Sequence, residues 1–229
     1  MQSASHHERT PAQKTVLSVD AMGGDKGPAP VIAGIAESAK KNKDLHFILH
    51  GPKQELTSLL NRRKVLDGRC EIRNADETVS MKDKPSHVMR HGKGTSMWSA
   101  LESVRNGEAE VCVSCGNTGA LMAISKLELR MLDGILRPAI AATFPHKKGE
   151  FVMLDLGANT ECSQENLFQF AVMGSEYAKV VLGKEEPKLA ILNIGTEADK
   201  GKIYLNETAK NLKESYLSKN FIGYIEGND

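Results

Sequence analysis

Three absences limit what this 229-residue sequence can encode. It has no run near the ~18 consecutive apolar residues that a membrane-spanning helix needs, and no apolar export segment near its start. Its four cysteines are too few for a disulfide framework in a chain of this length, so we expect reduced thiols in a cytosolic protein. Lys and Arg number 30 against 29 Asp and Glu, a formal charge of +1. No global field is therefore available to hold nucleic acid or an anionic membrane.

Short apolar or β-branched runs alternate with longer segments of helical period. This order predicts an α/β domain with a largely parallel sheet over residues 15–229, after a polar, unpatterned leader at residues 1–14 that we expect to be disordered. The predicted strands are Thr15–Asp20, Leu45–His50, Glu110–Ser114, Phe151–Leu156 and Leu189–Ile194. The predicted helices are Ala29–Lys41, Lys53–Arg63, Met97–Asn106, Thr118–Met131, Glu165–Leu182 and Tyr204–Leu217.

Four predicted strands run directly into polar, glycine-containing turns. These turns are Asp20–Asp25, Ser114–Gly119, Asp155–Asn159 and Asn193–Glu197. In open parallel sheets, ligands bind at the carboxyl ends of strands, so we expect the active site there.

Gly116–Gly119 has the form of a phosphate cradle. Glycine lets the backbone approach an anion closely, and the helix that follows, with Asn117 or Thr118 as N-cap, offers unpaired N–H groups. An ordinary capped turn between strand and helix explains the same residues equally well. No turn has the Walker pattern or the three spaced glycines of a dinucleotide site, so nothing specific indicates a nucleotide.

Several charged and sulfur-containing side chains have both a chemical and a structural interpretation. Lys200 and Arg137 suit a phosphate, yet each is also consistent with a solvated loop. Cys115, before a helix, could be a nucleophile, whereas Cys112 is expected to point to the opposite face of its strand. The basic run over residues 82–93 is either a docking surface for an acidic partner or a solvated loop.

The ordered set of motifs closely resembles the phosphate acyltransferase family of bacterial phospholipid synthesis, commonly called PlsX. The matching stretches are Val19–Asp25 with Gly27-Pro28, Lys84–Arg90, Ser96-Met97, Gly116–Met122, Arg137–Ile140, Leu154–Asn159, Gln169–Gly174, Leu192–Glu197, Lys200-Gly201 and Ile225–Gly227. Any one of these stretches is weak evidence for the family, but their combined order from about Val16 to the last residue is highly specific for it.

The resemblance implies both a fold and a reaction. The fold is a three-layer α/β/α sandwich, similar to the isocitrate and isopropylmalate dehydrogenases and to phosphotransacetylases. In the reaction, orthophosphate attacks the thioester of a fatty acyl chain on acyl carrier protein and releases acyl phosphate. No metal, nucleotide or other cofactor is required. The resemblance also implies a cytoplasmic homodimer, with peripheral membrane contact and coupling to a membrane acyl-phosphate:glycerol-3-phosphate acyltransferase.

The site expected from the resemblance uses direct displacement without a covalent enzyme intermediate. The phosphate-binding residues are Gly116, Asn117, Thr118 and Gly119. The catalytic residues are Lys200, Asn193 and Thr196. The residues that bind substrate or brace the loops are Asp20, Gly23, Gly24, Asp25, Arg137, Asp155 and Asn159.

The sequence departs from the family pattern at three points. Cys115 replaces a small residue, usually alanine, so family members work without a thiol there. Leu136 replaces an aspartate that would pair with Arg137. Family members are also longer, so we expect that their last strands and dimer helices lie beyond Asp229.

Three other functions are alternatives to this reaction. They are a phosphotransacetylase-like enzyme that uses coenzyme A esters, a phosphate- or carrier-binding module without turnover, and a nicotinamide-dependent dehydrogenase, which lacks support from any motif.

Overall fold

The fold is taken from a computed structural model that describes residues 14–147, 149–195 and 201–227. The predicted leader lies outside the described residues except for Lys14, an exposed residue. The chain divides into two compact units, residues 1–130 and 131–229.

The first unit is built on four parallel strands in the order β3-β2-β1-β4. The strands are β1 (Thr15–Asp20), β2 (Leu45–Gly51), β3 (Cys70–Asn74) and β4 (Val111–Ser114). The helices are α1 (Pro28–Lys41), α2 (Lys53–Leu60), α3 (Pro85–His91), α4 (Ser96–Arg105) and α5 (Thr118–Glu128), with a 3₁₀ turn at Lys64–Leu66.

The two faces of this sheet differ in polarity because successive side chains of a strand point to opposite sides. Val19, Phe47 and Leu49 are buried on one face in a cluster with residues of α1 and α2. The alternate positions Ser18 and His50 are buried against α4. Helices therefore cover both faces, which confirms the predicted α/β class with its largely parallel sheet.

A polar network joins β1, β2 and α4. Ser18 Oγ donates to the carbonyl of Ala100 (2.7 Å) and lies 2.9 Å from His50 Nε2, while Ser99 Oγ lies 2.8 Å from His50 Nδ1. The pKa of His50 is lowered to about 4, mainly by burial and also by nearby Arg73, against the opposing effect of Glu108. The folded protein therefore favours the neutral imidazole.

We expect the first unit to lose stability in mild acid. An unfolded histidine titrates near pH 6.5, so below that pH the unfolded chain binds more protons than the folded one, and stability falls as the pH drops toward 4. Between pH 7.5 and 5.5 the loss due to His50 is about 1 kcal/mol. Urea unfolding followed by the fluorescence of Trp98, the single tryptophan, measures it.

The control for this prediction is a second histidine. His50→Gln should remove the part of this pH-dependent loss of stability that His50 causes, whereas His87→Gln, on the exposed surface of α3, should keep it. If His50→Gln and the unmutated protein lose equal stability between the two pH values, His50 is not the group responsible.

The second unit contains two separate strand pairs. Strands β5 (Ala141–His146) and β6 (Gly149–Leu154) form an antiparallel hairpin, and β7 (Leu189–Leu192) and β8 (Phe221–Ile225) pair in parallel. Helix α6 (Gln164–Leu182) packs on β6 and on α7 (Ile203–Glu214). It begins with a capping box between Ser163 and Asn166, as expected for a long, well-defined helix.

Three parts of the predicted element order need correction. The predicted strand Phe151–Leu156 is β6, which ends at Leu154 and pairs with the unpredicted β5, so it is antiparallel rather than part of the parallel sheet. β3 and β8 were also not predicted. The run over residues 82–93, for which no helix was predicted and a solvated loop was one of two interpretations, contains α3. This short helix buries only Val88.

No helix in the described ranges is both long enough and apolar enough to cross a bilayer.

Candidate functional site

The carboxylate of Asp20 is the centre of the site in the first unit. Its side chain is only 2% exposed. Oδ1 accepts from Ser96 Oγ (2.7 Å) and from the backbone N–H of Met22 (3.3 Å), and Oδ2 accepts from Ser114 Oγ (2.7 Å). These bonds compensate a buried charge. Asp20 thus ties the end of β1 to the start of α4 and to the end of β4, where Ser114 is its partner in register.

Two glycines let the turns after β1 and β4 touch. A Cβ on Gly23 would lie 2.7 Å from the backbone nitrogen of Gly116 and 2.8 Å from Ser114 Oγ. A Cβ on Gly116 would lie 3.2 Å from Gly23 Cα. Ser114 Oγ also accepts from the N–H of Gly116 (3.1 Å). The hydrogen bonds of Asp20 therefore reach the glycine loop through Ser114.

Gly24 and Asp25 complete the turn after β1. A Cβ on Gly24, where φ is 101°, would lie 3.2 Å from the carbonyl oxygen of Cys115. Asp25 is exposed. The predicted residues Asp20, Gly23 and Gly24 thus lie against the segment Ser114–Gly116, and Asp25 follows them in the chain.

Asn117 is the N-cap of α5, as one of the two sequence alternatives predicted. Its Oδ1 accepts from the N–H of Ala120 (3.0 Å). Its Nδ2 donates to the carbonyls of Ser80 (3.2 Å), Met81 (3.2 Å) and Asp83 (2.9 Å). Both ends of the amide are therefore used to fix the loop and the helix start.

The first turn of α5 presents backbone N–H groups of the kind that bind anions. The N–H groups of the first helical residues have no partner within the helix, and the helix dipole places positive charge there. Thr118, the first residue of α5, is exposed, and Gly119 follows it. A Cβ on Gly119 would lie 2.8 Å from Pro85 Cγ, so glycine allows α3 to pack against this turn. An anion placed here would be bound by backbone groups.

The two cysteines of this region differ in environment. Cys112 lies in β4 and packs against the cluster that contains Met97 and Ile124. Burial, together with the nearby Asp20 carboxylate, raises its pKa to about 12, so this thiol stays protonated at neutral pH. Cys115 lies after the strand and is exposed. Neither is in a disulfide.

In the second unit, Asp155 braces the turn after β6. Its carboxylate accepts from the N–H groups of Ile140 (2.8 Å), Ala158 (3.2 Å) and Asn159 (2.8 Å) and from Asn159 Nδ2 (3.1 Å). Burial raises the pKa of Asp155, but these hydrogen bonds outweigh it and lower the pKa overall. Asn159 Nδ2 also donates to the carbonyl of Pro138 (2.9 Å). Arg137 is exposed and donates to the carbonyl of Glu161 (3.2 Å).

Asn193 lies directly after β7 and is 9% exposed. Its backbone N–H donates to the carbonyl of Ile225 (2.9 Å), and its Nδ2 donates to the carbonyl of Gly195 (3.1 Å). A Cβ on Gly201 would overlap Asn193 Oδ1 and lie 3.0 Å from its Cγ. Asn193 thus contacts both Gly195 and Gly201. Thr196 and Lys200, which were predicted as catalytic, lie outside the described residues.

The sequence alone did not reveal the supporting hydroxyls Ser96 and Ser114. The Ser96-Met97 motif was the signal that could have indicated Ser96. For Ser114 the signal was its position at a strand end, which lies opposite Asp20 when β1 and β4 pair. It also missed α3, which packs on α5.

Comparison with known proteins identifies the family. The family described as "Fatty acid synthesis protein" matches residues 15–229. The chain belongs to that family. A phosphate acyltransferase of Ruegeria sp. (strain TM1040) is 54% identical, with 95% of this chain and 59% of the relative covered. One of Roseobacter denitrificans is 52% identical, with 94% and 62% covered. This chain thus spans about three fifths of the length of these relatives.

Solved structures show the fold of this family member. A phosphotransacetylase from Streptococcus pyogenes matches with a TM-score of 0.64 and 20% identity, over 93% of this chain and 68% of the other. The EutD phosphotransacetylase from Staphylococcus aureus matches with a TM-score of 0.61 and 15% identity, over 94% and 68%. At these identities the likeness concerns the fold alone, and it agrees with the phosphotransacetylase-like fold predicted from the motifs.

Proposed function

We propose that this protein transfers a fatty acyl group from acyl carrier protein to orthophosphate and so forms acyl phosphate for phospholipid synthesis. The observation that carries the proposal is the glycine loop at the start of α5, held by Asp20, Ser114 and Asn117. Relatives at 52–54% identity are named phosphate acyltransferases, which supports the same reaction.

The mechanism is a direct displacement. One phosphate oxygen attacks the thioester carbonyl, and the tetrahedral intermediate expels the sulfur, which takes up a proton to become the free thiol of the carrier. In this proposal the N–H groups at the start of α5 hold the phosphate. Lys200 neutralises negative charge, with Asn193 and Thr196 near the thioester. Asp20 acts through Ser114, since its own oxygens already accept three hydrogen bonds.

The remaining parts of the proposal follow from the family resemblance. Arg137, Asp155 and Asn159 bind substrate or brace their loops, and the required chemistry needs no metal or cofactor. The enzyme is a cytoplasmic homodimer that touches the membrane peripherally and passes its unstable product to a membrane acyl-phosphate:glycerol-3-phosphate acyltransferase.

A single assay tests the reaction. Purified protein is incubated with acyl carrier protein carrying a fatty acyl thioester, with and without orthophosphate, and acyl phosphate is trapped with hydroxylamine. We expect hydroxamate only when phosphate is present. Faster turnover of coenzyme A esters would favour the phosphotransacetylase-like alternative. Binding of phosphate or carrier protein without any hydroxamate would favour the non-catalytic module.

Cys115→Ala is expected to retain full activity, within about twofold, because an exposed substitution with no lost contact rarely costs more than ~0.5 kcal/mol. The direct-displacement mechanism has no step for a thiol. Steady-state rates of the variant in the hydroxylamine assay test this. A loss of activity above 100-fold, with accumulation of an acylated protein in the unmutated enzyme, would instead indicate covalent catalysis by Cys115.

A further inference from the structure

A basic surface surrounds α3. Between residues 82 and 93 the sequence has four Lys or Arg residues and one acidic residue, Asp83, which gives this short segment a formal charge of +3 against +1 for the whole chain. We define the α3 patch as the four cations together with two neighbouring methionines. Its members are Lys82, Lys84, Arg90, Lys93, Met81 and Met89, all exposed.

The charges of the α3 patch are not neutralised by the described part of the chain. None of the ion pairs found there includes its four cations, whereas Lys40 pairs with Glu37 and Lys179 with Glu176. Asp83 is the nearest acid in sequence, and its Oδ2 accepts the N–H of Ser80 (2.8 Å). The positive charge of the patch is therefore presented to the surroundings, where it attracts an acidic partner over a Debye length.

The α3 patch is fixed to the candidate phosphate site. Asn117, the N-cap of α5, holds the carbonyls of Ser80, Met81 and Asp83, which lie in or beside the patch. Pro85, the first residue of α3, packs against Gly119 in the first turn of α5. These contacts distinguish the segment from a loop that is surrounded only by solvent. A partner that binds the patch is therefore placed beside the N–H groups that would hold phosphate.

The two methionines give the patch an apolar component. Met81 is 48% exposed and Met89 is 40% exposed. Flexible thioether side chains adapt to different partner surfaces, and interfaces are enriched in Met and Arg relative to the rest of the surface. Cations that steer a partner and methionines that contact it are the composition expected of a transient protein-docking surface.

We propose that the α3 patch is the docking surface for an acidic face of the carrier protein that delivers the acyl thioester. This inference rests on the proposed function, since it assigns a surface to the donor of that reaction. Complementary charge would raise the association rate and orient the carrier, while the chemistry itself takes place on the flexible arm that bears the thioester.

The test is charge reversal with a matched control. Lys82→Glu, Lys84→Glu and Arg90→Glu are combined in one variant. The control combines Lys41→Glu, Lys43→Glu and Lys64→Glu, which make the same charge change at exposed positions elsewhere in the first unit. For each protein, the affinity for holo acyl carrier protein is measured at several salt concentrations. Steady-state constants are measured with the carrier-bound donor and with a soluble acyl-pantetheine donor.

We expect the patch variant to bind carrier protein at least about tenfold more weakly and to lose much of its salt dependence. KM for the carrier-bound donor should rise by a similar factor, and the rate with acyl-pantetheine should stay unchanged. Unchanged carrier affinity in the patch variant, an equal loss in the control variant, or no carrier binding by the unmutated protein would each overturn the inference. If carrier protein binds and its binding depends on the α3 patch, but no acyl phosphate forms, the docking surface is supported and the proposed reaction is rejected.

Discussion

Lys200→Ala is expected to lower the rate of acyl phosphate formation by about 10²–10³-fold, the usual loss when one preorganised charge-stabilising donor is removed. The physical reason is the charge of the reaction, since an anionic nucleophile attacks a carbonyl whose oxygen becomes negative. Lys200 itself lies outside the described residues. The glycines that precede and follow it are described, and both Gly195 and Gly201 contact the side chain of Asn193.

Lys202 provides a matched control two residues further on. It is exposed, and its Nζ lies 5.6 Å from the ring centroid of Tyr204. Lys202→Ala should change the rate by no more than about twofold, as expected of a surface substitution. The measurement is kcat and KM for both substrates in the hydroxylamine assay. Equal rates for Lys200→Ala and the unmutated protein would remove Lys200 from the mechanism.

The central strands of the first unit could be predicted from the sequence because each is a short, largely apolar run that is buried in the fold. β1 was predicted at its observed bounds, and β2 to within one residue. β3 was missed because it has only five residues, at the edge of the sheet, with the charged Glu71 and Arg73 alternating with Cys70 and Ile72. α3 was missed because a helix that buries only Val88 has no apolar stripe to detect.

The candidate site could be predicted only in part, for a related reason. Glycines and strand-end polar residues are local signals, and they correctly indicated the turns after β1 and β4. The hydroxyls that organise these turns are remote in sequence: Ser96 lies 76 residues from Asp20, and Ser114 lies 94 residues from it. Only the pairing of β1 with β4 and the packing of α4 bring them to the carboxylate, and neither can be read from a local pattern.

The fold defines the role of Asn117 more closely than the sequence does. From the sequence, Asn117 is both a predicted phosphate-binding residue and one of two candidate N-caps. In the fold its amide makes one cap bond and three bonds to the loop over residues 80–83. Phosphate binding in this loop is therefore assigned to backbone groups, and the side chain is assigned to holding them in place.

Gly23→Ala tests that assignment directly, and we expect a loss of about 10²-fold or more in activity, the scale of an ångström-sized displacement of binding groups. The added methyl group would meet the Gly116 nitrogen at 2.7 Å, Ser114 Oγ at 2.8 Å and Asp20 Oδ2 at 2.9 Å. None of these is the free end of a flexible side chain, because each is held by the backbone or by a hydrogen bond. Relief of the overlap must therefore move the turn after β1 and the Gly116–Gly119 loop apart, at a stability cost of about 1–3 kcal/mol.

Gly34→Ala in α1 separates this effect from the general consequences of replacing glycine. A Cβ there meets no atom within 4 Å. Alanine in a helix interior stabilises by roughly 0.5–1 kcal/mol relative to glycine, so this variant should be slightly more stable and fully active. Urea unfolding and the hydroxylamine assay at saturating carrier substrate, with orthophosphate varied, compare the two variants. If the Gly116–Gly119 loop holds phosphate, as proposed, KM for phosphate should rise in Gly23→Ala. A folded Gly23→Ala protein with unchanged phosphate kinetics would show that phosphate binds elsewhere.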